Sequence, residues 1–175
     1  MDLGSWTDHA IVTIRQYLQS DTYWRPRLRR GKGVNSVHLA ILVEPFLGYI
    51  LDGTKTVESR FSTRQCAPFG RVRIGDIVLL KGASGPVAGL CEVSSVRFVD
   101  LHTVPIKEIR AQFGDAIRAD AAFWKARMNS AYATILGVTQ VRSLPPIACP
   151  KRDRRGWVVL SGGLAQESLL LQYGS

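Results

Sequence analysis

Apolar residues recur at helical spacing near the start of the chain. Ile11, Ile14 and Leu18 lie three and four apart, predicting a helix over 7–19 that Thr7 or Asp8 can cap. Residues 25–33 break the pattern: Arg25, Arg27, Arg29, Arg30 and Lys32 stand among Pro26, Gly31 and Gly33. Such a stretch reads as a linker or arm. The branched run 37–43 then reads as a buried strand. Pro45 opens a short helix carrying Phe46, Leu47, Ile50 and Leu51 on one side, with Gly53 past its end. Strands are expected at 56–61, 77–80, 87–99, 132–141 and 156–160, with a glycine-rich turn at 82–86. Helices are expected at 105–113, where Gly114 is a stop signal, at 121–128 and at 164–173. There is no internal repeat. Strands with a few short helices inserted point to an α+β fold with a mostly antiparallel, barrel-like sheet.

Composition narrows the class. At 175 residues and 46% hydrophobic the chain is globular and large enough for one core. The longest apolar stretch, 39–51, is interrupted by Glu44 and is shorter than the roughly 18 residues a membrane helix needs. The opening residues lack a basic region leading into an apolar one. Cys66, Cys91 and Cys149 are odd in number and widely spaced, which argues against a disulfide framework or a zinc ribbon. A cytoplasmic location is the expectation. Twenty-three Lys and Arg against fourteen Asp and Glu give a net charge of +9 and a pI near 9.9, the footprint of a polyanion binder.

The sharpest chemistry lies in residues 53–60, Gly-Thr-Lys-Thr-Val-Glu-Ser-Arg. Alternate strand residues share a face. With Val57, Ser59 and Phe61 toward the core, Thr56, Glu58 and Arg60 fall together on the other face, and Lys55 sits close enough to join them. Glu58 supplies an acceptor and a potential base, while Lys55 and Arg60 supply donors for a phosphate, a carbonyl or a developing oxyanion. Spacing alone favours an ordinary ion pair on an exposed sheet face.

Residues 38–60, with the segment G-x-K-x-x-E-x-R at their end, resemble the opening of an ASCH domain. Residues 74–80 and 85–93 resemble its next two strands, and 132–136 with 156–160 its closing strands. The resemblance implies a PUA-like, mostly antiparallel β-barrel with flanking short helices over residues 36–162. It leaves 1–35 as a helical appendage with a basic linker and 163–175 as a C-terminal helix or tail. It further implies an RNA- or modified-nucleotide-binding module with a cleft lined by the motif. Some members are hydrolases, either of acetylated cytidine or, as ribonucleases, of RNA. In the deacetylating members a motif lysine works with a threonine three residues later and a downstream acid. Lys55 matches the lysine, Glu58 stands in the threonine position, and Asp115 is the counterpart of the acid. Lys55 and Glu58 are then the acid–base candidates if the chain is an enzyme.

Other residues compete with plainer roles. Lys81 and Ser84 flank the glycine-rich turn, whose N–H groups can hold an anion, although a turn needs Gly and Ser in any case. Tyr132 and Trp157 can stack on a base, although aromatic residues in strands are more often core. Lys151, Arg152, Arg154 and Arg155 form a second basic run, which with Arg25, Arg27, Arg29 and Arg30 would contact phosphates if both lie beside the cleft. Such runs are usually solvated. His9, His38 and His102 lack ligand spacing, so no metal site and no cofactor site is readable. The partner expected is RNA or a nucleoside or nucleotide ligand.

Overall fold

A computed structural model describes residues 2–28, 35–150 and 154–161. The predicted apolar run forms β1 (Val37–Leu42), a largely buried strand second from one edge of a six-stranded sheet. It is followed by α3 (Phe46–Leu51), β2 (Val57–Ser62), β3 (Ile77–Gly82) and β4 (Val87–Asp100). Helices α4 (Ile106–Ile117) and α5 (Ala121–Lys125) precede β5 (Tyr132–Ile147) and β6 (Trp157–Ser161). Two helices, α1 (Leu3–Tyr17) and α2 (Trp24–Arg27), come before β1. The strand order is β2-β5-β4-β3-β1-β6, and every pairing is antiparallel except that of β1 with β3. The sheet curls into a half-barrel of the PUA-like α+β kind.

The long strands β4 and β5 bend through register shifts. At one of them Gly89 is required, since a Cβ there would stand 2.8 Å from the Arg142 carbonyl oxygen and 2.5 Å from Leu51. Bulges of this kind sharpen the local twist and curl a sheet. Gly53, between α3 and β2, has a φ of +81°, a conformation that only glycine adopts without strain. It turns the chain so that Lys55 enters the sheet edge.

The N-terminal segment is woven into the core. Trp6, Ala10, Ile14, Leu18, Trp24 and Leu28 pack in one cluster with Leu39, Leu79, Leu90 and Val158 of the sheet. Two indoles tie it to β5 and its exit: Trp6 Nε1 donates to the Ala148 carbonyl at 2.7 Å and Trp24 Nε1 to that of Gln140 at 2.9 Å. Helix α1 begins earlier than periodicity suggested because Leu3 and Trp6 extend its apolar face, and Asp2 caps it by accepting from Ser5 N–H. Within the basic arm α2 forms one turn, since Asp21 accepts from the Tyr23 and Trp24 N–H groups and Trp24 is fully buried. Pro26 is tolerated there because a first turn needs no N–H from it.

Helix α4 runs through Gly114 to Ile117 and ends at Arg118, whose φ is 61°. A helical glycine costs only about 1 kcal/mol, and burying Ile109 and Ile117 outweighs it. This extension matters for the site, because the carbonyls of the last turn receive Thr56 N–H and the Lys55 ammonium. The helix expected at 164–173 lies outside the described residues.

Candidate functional site

The sheet has two edges, β2 and β6, and the space between them is where the charged residues gather. Arg60 reaches across it. One terminal nitrogen donates to the Ile41 carbonyl of β1 and the other to the Gly156 carbonyl just before β6, both at 3.0 Å. Its Nε lies 2.9 Å from Glu58 Oε1, but the N–H is not aimed at that oxygen, so this buried atom has charge contact without a hydrogen bond. The guanidinium sits over the Trp157 ring at 5.3 Å. Arg60 therefore acts as a clasp between the two edges of the half-barrel.

Lys55 is 2% exposed. Its Nζ donates to the Val57 carbonyl at 2.7 Å and the Ile117 carbonyl at 3.0 Å, and lies 3.3 Å from Glu58 Oε2. An ammonium has three donors, and here all three are engaged. Burial pulls the Lys55 pKa down, and the Glu58 carboxylate opposes that pull. Glu58 thus stands between Lys55 and Arg60, one oxygen toward each. It is buried at 6% exposure, so the group is no exposed surface ion pair.

These residues line a cleft of about 260 Å³ together with Ile41, Leu42 and Val43 at the end of β1, and Phe46, Ser59, Phe61, Phe123 and Arg127. Only Lys55, Glu58 and Arg60 of this lining were site candidates from the sequence, and three of the others bring aromatic or charged chemistry. Phe46 opens α3, and its ring lies 5.4 Å from the Lys55 ammonium. Phe123 packs edge-on against Phe46 and Phe61. The Arg127 guanidinium carbon stands 3.4 Å from the centre of the Phe123 ring, and the group donates to the Phe123 carbonyl at 2.9 Å. Burial pulls the Arg127 pKa down and Arg60 adds to this, while Glu58 works against both. The only signal in the sequence was the four-residue step from Phe123 to Arg127, which places both on one side of a helix and is common on surface helices.

Not every predicted site residue meets this cleft. Thr56 precedes β2, is exposed, and is absent from the lining. Asp115 is exposed on α4 and does not line the cleft. Lys81 is buried and turns its ammonium onto the Gly82 carbonyl at 2.8 Å, so its charge serves the turn; Ser84 is exposed on that turn. Tyr132 packs on Phe69 at the far end of β2 and β5, opposite Ser62.

Trp157 corrects the stacking expectation most clearly. It is 4% exposed, and its Nε1–H donates to His38 Nδ1 at 3.1 Å. That leaves the imidazole proton on Nε2, which reaches Asp76 Oδ2 at 3.0 Å. Asp76 also accepts from the Ser36 and Arg73 N–H groups. Trp157 is the buried floor under Arg60 and offers no face to a base.

The basic runs divide. Arg154 and Arg155 are exposed and lead directly into Gly156, whose carbonyl Arg60 holds, although neither of them lines the cleft. Arg27 is committed to Glu92 at 3.0 Å and to the Tyr23 ring. Arg25 borders a separate depression with Arg15, Gln16 and Gln19. Arg29, Arg30, Lys151 and Arg152 lie outside the described residues. Among the described residues no group of three His, Cys, Asp or Glu is placed to hold a metal ion. No helix there is long and apolar enough to cross a membrane.

The curled sheet, with short helices beside it and a charged cleft lined from both, is the architecture of known solved structures. The chain has the ASCH fold. The crystal structure of ASCH from Zymomonas mobilis matches it with a TM-score of 0.57 and 15% identity, over 79% of this chain and 95% of that one. Two single-residue mutants of that protein match similarly, one with a TM-score of 0.59 and 15% identity over 78% and 96% of the two chains. The other has a TM-score of 0.58 and 16% identity over 78% and 99%. No family model and no curated protein matches the sequence.

Proposed function

We propose that the chain is an RNA- or modified-nucleotide-binding module that receives its ligand in the cleft of Lys55, Glu58 and Arg60. The observation that carries this reading is the lining itself. Three cations against one carboxylate leave two surplus positive charges beside the rings of Phe46, Phe61 and Phe123. Aromatic rings with a cationic surround suit a base and its phosphate. A volume of about 260 Å³ falls just below the roughly 300–1,000 Å³ of clefts for drug-sized ligands, which suits a single nucleotide unit. Arg154 and Arg155, entering beside Gly156, would meet the backbone of a longer strand.

Hydrolysis of a modified nucleoside or of RNA is the second reading, favoured by the carboxylate of Glu58 facing the cleft beside a buried lysine. Binding is preferred because Lys55 has no donor to spare and the position of the deacetylating threonine holds Glu58. The test is incubation with a panel of nucleosides, acetylated nucleosides and short RNAs, following binding by calorimetry and product by mass spectrometry. Saturable binding without product is the expected result. Product from an acylated base or a cleaved strand would establish the hydrolase instead, and no binding of any member would sink both.

A further inference from the structure

The cations of the cleft are not equivalent, and the difference identifies which of them meets a ligand. Lys55 has spent its three donors on two carbonyls and Glu58. Arg60 gives two of its five N–H groups, one from each terminal nitrogen, to the carbonyls of Ile41 and Gly156, so its position is fixed by the two sheet edges. Glu58 is divided between these two. Arg127 is different. Of the five N–H groups a guanidinium carries, the described residues accept one, through the Phe123 carbonyl. The ring contact at 3.4 Å and the bond to the Phe123 carbonyl together anchor the group, so its remaining donors are held at the cleft wall.

We infer that Arg127 is the specificity-determining residue of this cleft and that it selects a ligand bearing a phosphate on its nucleoside over the uncharged nucleoside. The inference rests on the nucleotide reading above and adds the class of ligand to it. A planar, oriented guanidinium matches phosphate oxygens in pairs, as an ammonium does not. The surplus of two positive charges on the lining means that a phosphate entering here meets net attraction, and the half-buried setting of Arg127 weakens solvent screening of it. Burial is the main pull lowering the Arg127 pKa, the Glu58 carboxylate opposes it and Arg60 adds a smaller push downward, so the cation is held partly desolvated at the cleft wall. The phosphate could belong to a free mononucleotide or to the end of an RNA strand. The chemistry is shared, and separate ligands distinguish the two.

The experiment compares wild type, Arg127→Gln and Arg127→Lys by calorimetry against the four ribonucleosides, their 5′-monophosphates, inorganic phosphate, and short RNAs with and without a 5′-phosphate. Wild type should bind at least one monophosphate about tenfold or more tightly than its nucleoside, a gap of about 1.4 kcal/mol. Arg127→Gln should shrink that ratio toward one with an unchanged melting temperature, and Arg127→Lys should retain part of it. If Arg127→Gln does not fold, the Lys variant carries the test, since it keeps the charge and loses the fork. Preference confined to monophosphates assigns the free nucleotide; preference confined to 5′-phosphorylated RNA assigns the strand end. Equal binding of nucleosides and monophosphates, or a ratio that survives in both variants, overturns the inference while the nucleotide reading stands. Inorganic phosphate competing as well as any monophosphate, with no nucleoside bound, keeps the anion site and removes the nucleoside reading. No binding of any of these ligands removes both.

Discussion

Two buried polar groups sit almost back to back in this fold, separated by the Trp157 ring, and they are built on opposite accounts. Behind the ring, His38 and Asp76 form a closed set. Each imidazole nitrogen has a partner, and Asp76 accepts from the imidazole and two backbone N–H groups. In front of it, Lys55, Glu58, Arg60 and Arg127 form an open set with two positive charges in excess, a buried Arg60 Nε without an acceptor, and an Arg127 guanidinium with a single acceptor among the described residues. Buried polar atoms are normally satisfied. The closed set obeys that rule, which is what holding a fold requires. The open set departs from it at the buried Arg60 Nε and in its excess of positive charge, as expected of a site awaiting an anionic partner. Burial and charge are common to both; completeness of pairing separates structure from site.

That contrast can be broken most forcefully at Arg60, which belongs to the site and to the scaffold at once. Arg60→Ala leaves Glu58 with Lys55 alone and removes the donors of the Ile41 and Gly156 carbonyls. Losing one member of a buried charge group costs about 3–5 kcal/mol, so the melting temperature should fall by roughly 10 °C, and ligand binding should go with it. A variant that melts like wild type would show that the clasp does not hold the edges together.

Asp76→Asn should be the purest scaffold change. An amide keeps one acceptor oxygen but puts an NH2 where a carboxylate oxygen took a hydrogen bond. The loss should be about 2–3 kcal/mol in denaturant unfolding. Nucleotide affinity, measured well below the melting transition, should stay within about twofold, because Asp76 makes no contact with the cleft lining. A large affinity loss in a folded variant would mean that the two groups are coupled through Trp157.

Glu58→Gln should do the reverse. Lys55 and Arg60 each keep two carbonyl partners, so the stability cost should be smaller, about 1–2 kcal/mol. Discrimination among bases, or turnover if there is any, should be lost. Salt-dependent attraction to RNA should persist, because phosphate contacts position a strand while pocket groups read it. Titrating RNA affinity against salt in both proteins checks this. Parallel slopes with a lost base preference would sharpen the division, and a preference equal to wild type would remove Glu58 from recognition.

Local patterns carried much of the architecture. The apolar run of β1 and the glycine-rich turn between β3 and β4 are short-range signals, because each is built from a few consecutive residues. The segment 53–60 could be read as a polar cluster for the same reason, and the resemblance carried by 38–60 pointed to the ASCH fold that the structure has. Strand β2 forms where expected but without the expected alternation, since Glu58 and Ser59 are both buried and Ser59 and Phe61 line the cleft with Glu58 and Arg60. Boundaries slipped where tertiary packing overrode local cost: Gly114 stays helical because Ile117 is buried, and the arm at 24–27 coils because Asp21 and Trp24 anchor it.

The sequence alone thus determined which strands form and which charges lie together on β2. Only the tertiary structure decided that Trp157 is floor and not platform, that Lys81 serves its own turn, and that Arg127 completes the cleft from the turn after α5, some sixty residues beyond β2. The physical reason is range. Alternation along a strand is fixed by neighbouring residues, whereas pairing and burial of a charge depend on groups brought close by the curl of the sheet. That curl comes from the bulges of β4 and β5 and from Arg60 spanning the two edges, and no short window of residues contains both.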